Sequence, residues 1–280
     1  MVGNFFKGRV DRLLVPVDFS PKSSLAIEHA LVMARVYGSA VYLVHVLDAT
    51  IFVAGSVPGV LMDIRERCEK ALEELAAAVR QQHLDCSVLL REGDLNEQIQ
   101  AVIAEFSIDV LVLGTKAGTA YAGLSFVSTA EHILRKTQIP VLTVADCHAV
   151  RKWGGEGCFH LLYATDLSPE SIQSLSYARA VEHRLCVEFT VAHVLGKHAS
   201  TAKIELVTEE LKKMANGPSD KILVLHGSPG PAICEASRRA HADLIAIGVQ
   251  KHSLLREVLL GHTLLEILSG ASCPVLTFRM

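Results

Sequence analysis

The 280-residue chain lacks the features that mark several large classes of protein. Its formal net charge is only −3 and its acids and bases are interspersed, so it has neither the basic surface typical of nucleic-acid binding nor a polybasic strip for lipid. No uncharged apolar run approaches the roughly 18 residues that a membrane-spanning helix needs. The N-terminal residues MVGNFFKGRV contain no apolar core of signal length, and we expect a cytoplasmic protein.

Common catalytic and metal-binding signatures are also missing. The sequence has no G-x4-GK-[ST], G-x-G-x-x-G, H-E-x-x-H or G-x-S-x-G pattern, so we predict no catalytic residues and at most weak ATP hydrolysis. The cysteine count is odd, at seven, and without a secretion signal free thiols are expected. Cys and His residues occur around positions 147–160, but no C-x2-C spacing is present and we predict no metal site.

What the sequence does contain is a repeat. Residues 110–144 read VLVLGTKAGTAYAGLSFVSTAEHILRKTQIPVLTV, and residues 244–278 read LIAIGVQKHSLLREVLLGHTLLEILSGASCPVLTF. Each copy has an apolar run, a glycine, a helical pattern and a second apolar run, which predicts the βαβ unit of a parallel sheet. Such sheets bind ligands at their carboxyl edge, so the turns after Gly114 and Gly248 are the predicted binding positions.

The repeat extends over nearly the whole chain. Strand-like runs end in Asp18 and Asp166, and each is followed by a Ser-Pro pair that predicts the start of a helix. Each copy therefore reads as five strands alternating with four helices, an α/β fold with a doubly wound parallel sheet. We place the domains at 1–146 and 159–280, with a linker at 147–158.

The two copies differ in one apolar segment. Asp166 follows Asp18 by 148 residues, but Gly248 follows Gly114 by 134, so the second copy lacks fourteen residues between its second and third strands. In the first copy this place holds DATIFVAGSVPGV (48–60), which has no steady period and predicts a loop. Two interpretations of residues 49–60 are open: a lid on their own domain, or a docking surface for a protein partner.

Several motifs together resemble the universal stress protein family. In the first copy they are VPVDFSP, VYLVHVL, REGD, STAEHILRK and IPVLTV, and in the second YATDLSP, VAHVL, LHGS, LLGHTLLEIL and CPVLTF. The resemblance implies two tandem adenine nucleotide alpha hydrolase-like domains with strand order 3-2-1-4-5. It further implies an intramolecular pseudo-dimer through strand five, with a further homodimer left open, and ATP with Mg as the ligand between strands one and four.

In that family the aspartate ending strand one and the backbone ending strand two hold the adenosine, and a G-x2-G-x9-G-[ST] loop holds the phosphates. The matching positions in the first copy are Asp18, Val46, Gly114, Ser128 and Thr129. Two loop glycines are replaced there by Ala117 and Val127. A side chain where backbone must approach a phosphate excludes it, so we rank the first copy below the second for nucleotide binding.

The matching positions in the second copy are Asp166, Val194, Gly248, Lys251, Gly261, His262 and Thr263. Lys251 replaces a loop glycine and His262 replaces the hydroxyl residue, and both are candidates for cationic contacts to phosphate. Three functions stay open: a stress-related binding or regulatory module that binds ATP, an adaptor without nucleotide, and a weak ATP hydrolase using Lys251 and His262. Both aspartates also fit a plain turn-capping role, and strand histidines His45 and His193 are expected to be hydrogen-bonded rather than ligands.

Overall fold

A computed structural model describes residues 9–48, 58–115, 128–145, 150, 158–249 and 261–279, with backbone only at 58–61, 128–129 and 183. The first half contains β1 (Arg12–Pro16), α1 (Pro21–Tyr37), β2 (Ala40–Leu47), α2 (Pro58–Arg80), β3 (Cys86–Glu92), α3 (Leu95–Glu105), β4 (Val110–Thr115), α4 (Ser128–Lys136) and β5 (Val141–Ala145). The second half contains β6 (Phe159–Ala164), α5 (Pro169–Arg179), a 3₁₀ turn (Ala180–His183), β7 (Val187–Leu195), α6 (Thr201–Met214), β8 (Lys221–His226), α7 (Pro229–Arg239), β9 (Leu244–Val249), α8 (His262–Gly270) and β10 (Val275–Arg279). The predicted alternation of strands and helices is confirmed.

The ten strands of the described residues form one sheet, in the order β3-β2-β1-β4-β5-β10-β9-β6-β7-β8. Within each half the strands are parallel and follow the predicted order 3-2-1-4-5. The halves meet through β5 and β10, which pair antiparallel with Leu276 opposite Leu142. The pairing expected between the fifth strands is therefore present, and it covers two strand edges that would otherwise be open.

Local sequence explains where the helices begin and end. Ser20 and Ser168 cap α1 and α5, each followed by proline at the first helical position, and Gly38 ends α1 in the left-handed conformation with φ 71°. Asp94 caps α3 by accepting the Glu97 amide at 3.0 Å. The loop predicted over 48–60 ends earlier than expected, because α2 already begins at Pro58. Its residues 49–57 lie outside the described part of the chain.

Helices cover both faces of the sheet. On one face a continuous hydrophobic cluster joins α1 and α2 to α5 and α6 across the two halves. On the other face α3 and α4 pack over the first half, α7 and α8 over the second, and Leu264 of α8 joins the first-half cluster. No helix among the described residues is long and apolar enough to cross a membrane.

The expectation of free thiols is wrong for one pair. Cys158 and Cys186 are joined by a disulfide, with their Cα atoms 5.0 Å apart. Each cysteine directly precedes a strand, and parallel pairing of Phe159 with Val187 brings the two together. Their separation of 28 residues along the chain does not indicate this contact, because the contact arises from strand register rather than from a local motif. Cys147 and His148, from the segment considered for zinc, lie outside the described residues.

Candidate functional site

The two strand-ending aspartates occupy the same position in each half. Asp18 accepts hydrogen bonds from the Ser20 amide at 3.0 Å and its hydroxyl at 2.5 Å, and Asp166 does the same with Ser168 at 3.0 and 2.6 Å. Burial pushes the pKa of each carboxyl upward, but these hydrogen bonds outweigh it, so both pKa values lie below the ordinary value. The capping role is therefore present in both halves, and each aspartate is an anion at neutral pH.

The residue after each aspartate has a left-handed backbone. Phe19 has φ 58° and Leu167 has φ 63°. Non-glycine residues rarely adopt this conformation, which costs about 1 kcal/mol or more and recurs at ligand-binding turns. Sequence patterns do not predict it here, since neither position carries the glycine or asparagine that usually marks such a turn.

The two glycines of the βαβ stretch are required by helix packing. A Cβ added to Gly114 would lie 2.3 Å from the Lys22 carbonyl oxygen of α1. At Gly248 an added Cβ would meet the Ser174 hydroxyl oxygen of α5 at 2.1 Å. Each glycine thus lets the first helix of its half lie directly on strand four. This packing accounts for a glycine at both positions, whatever ligand approaches the strand end.

A cavity of about 420 Å³ lies at the carboxyl edge of the second half. Five of the predicted positions of that half line it: Asp166, Val194, Gly248, Gly261 and Thr263. They come from the ends of β6, β7 and β9 and from the start of α8. Gly261 precedes α8 and supplies no capping side chain, so the first amides of that helix have no side-chain acceptor at its N-cap. The arrangement suits an anionic or polar ligand group near the helix start.

Other predicted positions are placed differently. His262 is not among the residues that line the cavity: its side chain is 87% exposed and Nδ1 lies 3.4 Å from a Glu266 carboxylate oxygen. Lys251 lies outside the described residues. Ser128 and Thr129 form the first turn of α4, where only their backbone is described. Val46 is half-buried at the end of β2, against the core of the first half.

Several residues of the cavity are not among the predicted binding positions. Thr165 and His193 line it from the second half, and the His193 Nδ1–H donates to the Thr165 carbonyl at 2.8 Å. His45 makes the matching bond to Val17 at 2.6 Å in the first half. Both histidines are hydrogen-bonded as expected, although His193 also faces the ligand space.

The first half also contributes to this cavity. Leu134 and Thr137, at the end of α4, line it together with Ile139, which precedes β5. Arg279 reaches the same space from the end of β10. These contributions follow from the antiparallel pairing of β5 with β10, which brings the C-terminal end of α4 beside the second half's carboxyl edge. The cavity is therefore completed by both halves.

Each half has a parallel five-stranded sheet whose strand order reverses at strand one. This arrangement places both halves in the class of doubly wound α/β domains, which bind ligands at the point where the strand order reverses. The model of the Universal stress protein family matches residues 9–145 and 159–279, and the chain belongs to that family. The resemblance noted from the motifs is thus confirmed in both copies.

Individual relatives agree with this assignment. Universal stress protein MJ0531 of Methanocaldococcus jannaschii is 25% identical over 137 residues, which cover 48% of this chain and 81% of that protein. Stress response protein NhaX of Bacillus subtilis is 27% identical over 161 residues, covering 48% of this chain and 97% of the relative. Among solved structures, a universal stress protein from Archaeoglobus fulgidus has a TM-score of 0.73 at 18% identity, covering 96% of this chain and 98% of its own. That likeness shows a shared fold over the tandem pair.

Proposed function

We propose that this protein is a stress-response binding module whose second half binds an adenine nucleotide in the cavity at its carboxyl edge. One observation carries the proposal: the cavity is lined by five of the seven positions that correspond to the nucleotide site of the family. Membership of the family and the stress-response names of its relatives support the cellular role.

The size and lining of the cavity suit a nucleoside. Its volume of about 420 Å³ lies within the roughly 300–1,000 Å³ typical of small-molecule sites. Apolar walls from Val194, Ile233 and Ile247 offer a surface for a planar base, while the Asp166 carboxylate is an acceptor for ribose hydroxyls. The uncapped start of α8 lies at the same cavity and offers amide donors to phosphate oxygens. Magnesium, if it accompanies the nucleotide, would be held chiefly by the phosphates.

The second half is the better candidate. Its glycine at position 261 retains the close approach of backbone to ligand that the family loop requires, whereas the first half has Val127 at the corresponding place. A Cβ placed on Gly261 would meet no atom of the described residues within 4 Å. A ligand group can therefore approach this part of the chain closely.

The proposal is tested by extracting nucleotide from purified protein and identifying the released compound by mass. We expect an adenine nucleotide at no more than one equivalent per chain. The same preparation, incubated with labelled ATP and magnesium, reports hydrolysis, which we expect to be slow or absent. If extraction yields nothing and calorimetry detects no binding of ATP, ADP or adenosine, the proposal fails.

An adaptor role has one observation in its favour. Met62, in the first turns of α2 and next to the apolar segment 49–60, has 75% of its surface exposed. Exposed methionine is frequent at adaptable protein-binding surfaces. Replacing residues 49–57 by a short Gly/Ser linker would abolish capture of a protein partner if this role holds, with the melting temperature unchanged. Partner capture that survives the replacement would exclude the segment as the docking site.

A further inference from the structure

Arg279 is a charged residue placed where the two halves meet. It ends β10, beside Val249 of β9, and its side chain lines the cavity. One guanidinium nitrogen, Nη1, donates to the Leu134 carbonyl oxygen of the first half at 3.1 Å. The guanidinium is therefore held in place from across the domain boundary, next to the ligand space.

The guanidinium has no carboxylate partner among the described residues. Its Nε is buried and makes no hydrogen bond. The nearby charge is of the same sign, that of Arg135, whose own guanidinium pairs with Glu131. The pKa of Arg279 is lowered, mainly by burial and to a smaller extent by the charge of Arg135. Among the described residues this partly buried cation has no counter-charge, which is costly, and its position beside the cavity suits an anionic group of a ligand.

The fold itself does not require a charge at this position. Ala145 occupies the corresponding end of β5 in the first half and is 1% exposed. An apolar residue is therefore sufficient for packing at the end of the fifth strand in the first half. The arginine distinguishes the second half, whose cavity is lined by Gly261 and Thr263.

We propose that Arg279 is the anion-binding residue of the cavity and contacts the phosphate groups of the bound nucleotide. Its planar fork can donate two hydrogen bonds to phosphate oxygens while Nη1 remains fixed by Leu134. The inference rests on the proposed function. It assigns to the last strand, and to the junction between the halves, a contact to the phosphate groups of the ligand.

The test is calorimetric titration of the full chain with ATP and, separately, with adenosine. The Arg279→Met variant keeps the length of the side chain and its apolar stem but removes the donors. We expect it to bind ATP about 10- to 100-fold more weakly, the range for a lost charge-assisted hydrogen bond, with adenosine affinity unchanged. Arg279→Lys should be intermediate. Arg239→Met, on an arginine that is 79% exposed on α7, is the matched control and should bind both ligands like the wild type.

The outcomes separate this inference from the proposed function. Equal losses of ATP and adenosine affinity would mean that Arg279 only shapes the cavity, and unchanged ATP affinity would mean that it touches no phosphate; either result overturns the inference. If the wild type binds neither ligand, the proposed function fails, and tripolyphosphate is titrated alone. Binding of tripolyphosphate that Arg279→Met abolishes would support an anion site without a nucleoside, and absence of such binding would overturn it.

Discussion

Replacing Gly114 by alanine tests whether the glycine of the repeated stretch is required by packing. The added Cβ would lie 2.3 Å from the Lys22 carbonyl oxygen and 2.7 Å from its carbonyl carbon, both backbone atoms of α1. Ordinary contacts of a Cβ begin near 3.4 Å, so the helix must move by about 1 Å at this point. Overpacking of this kind costs about 1–3 kcal/mol.

At Gly248 the nearest atom is the Ser174 hydroxyl oxygen, which can rotate away at the cost of its hydrogen bond to Tyr163, whereas at Gly114 the nearest atoms are backbone. We therefore expect a loss of stability for Gly248→Ala that is smaller than for Gly114→Ala. Gly196 provides the control, because a Cβ added there would meet no atom within 4 Å in the part of the chain that the structure describes, and the expected change is within about 0.5 kcal/mol.

The three variants are compared by urea unfolding followed by circular dichroism. We predict the order of destabilisation Gly114→Ala, then Gly248→Ala, then Gly196→Ala. If Gly114→Ala were as stable as the Gly196→Ala control, the close approach of α1 to β4 could not be the reason for this glycine.

Three further changes probe the second half. Asp220 is 5% exposed and paired with Arg179; burial raises the pKa of its carboxyl, but the hydrogen bonds from Arg179 and from backbone amides bring that pKa below the ordinary value. Asp220→Asn should lower the free energy of unfolding by about 1.5–3 kcal/mol at neutral pH. On acidification below about pH 4 the variant should lose less stability than the wild type does, as urea unfolding across pH would show. Removing the disulfide by Cys158→Ser together with Cys186→Ser should lower the free energy of unfolding by roughly 3–4 kcal/mol in the chain-entropy model. Equal unfolding midpoints for the wild type and the double variant in oxidising buffer would contradict this. Tyr163→Phe removes a buried hydroxyl that bonds the Ser174 hydroxyl at 2.6 Å, and should lower the unfolding free energy by about 1–3 kcal/mol; no change in the midpoint would show that this bond adds nothing.

The fold was largely predictable because each half carries strong local signals. Apolar runs ended by Asp18 and Asp166, followed by Ser-Pro, mark the first strand and helix of each half without ambiguity. The start of α2 at Pro58, in contrast, lies inside the segment predicted as a loop. Strand order followed from connection rules and from the family resemblance rather than from any single residue.

The candidate site was only partly predictable. Asp166 and Thr263 could be placed by matching motifs, because both lie in continuous sequence patterns. Thr137 and Arg279 could not, since they reach the cavity only through the pairing of two strands distant in the chain. The phosphate contact of His262 stays a prediction: its side chain is largely exposed beside Glu266, and position in a motif does not fix the direction of a side chain at a helix start.

We propose that the second half, and not the first, binds an adenine nucleotide. Titration of ATP into the wild type, Asp18→Asn and Asp166→Asn distinguishes the two halves, since asparagine retains the turn-capping hydrogen bonds while removing the charge. We predict one equivalent of ATP per chain, with affinity reduced in Asp166→Asn and unchanged in Asp18→Asn. Affinity reduced only in Asp18→Asn, or no binding by any of the three proteins, would contradict it.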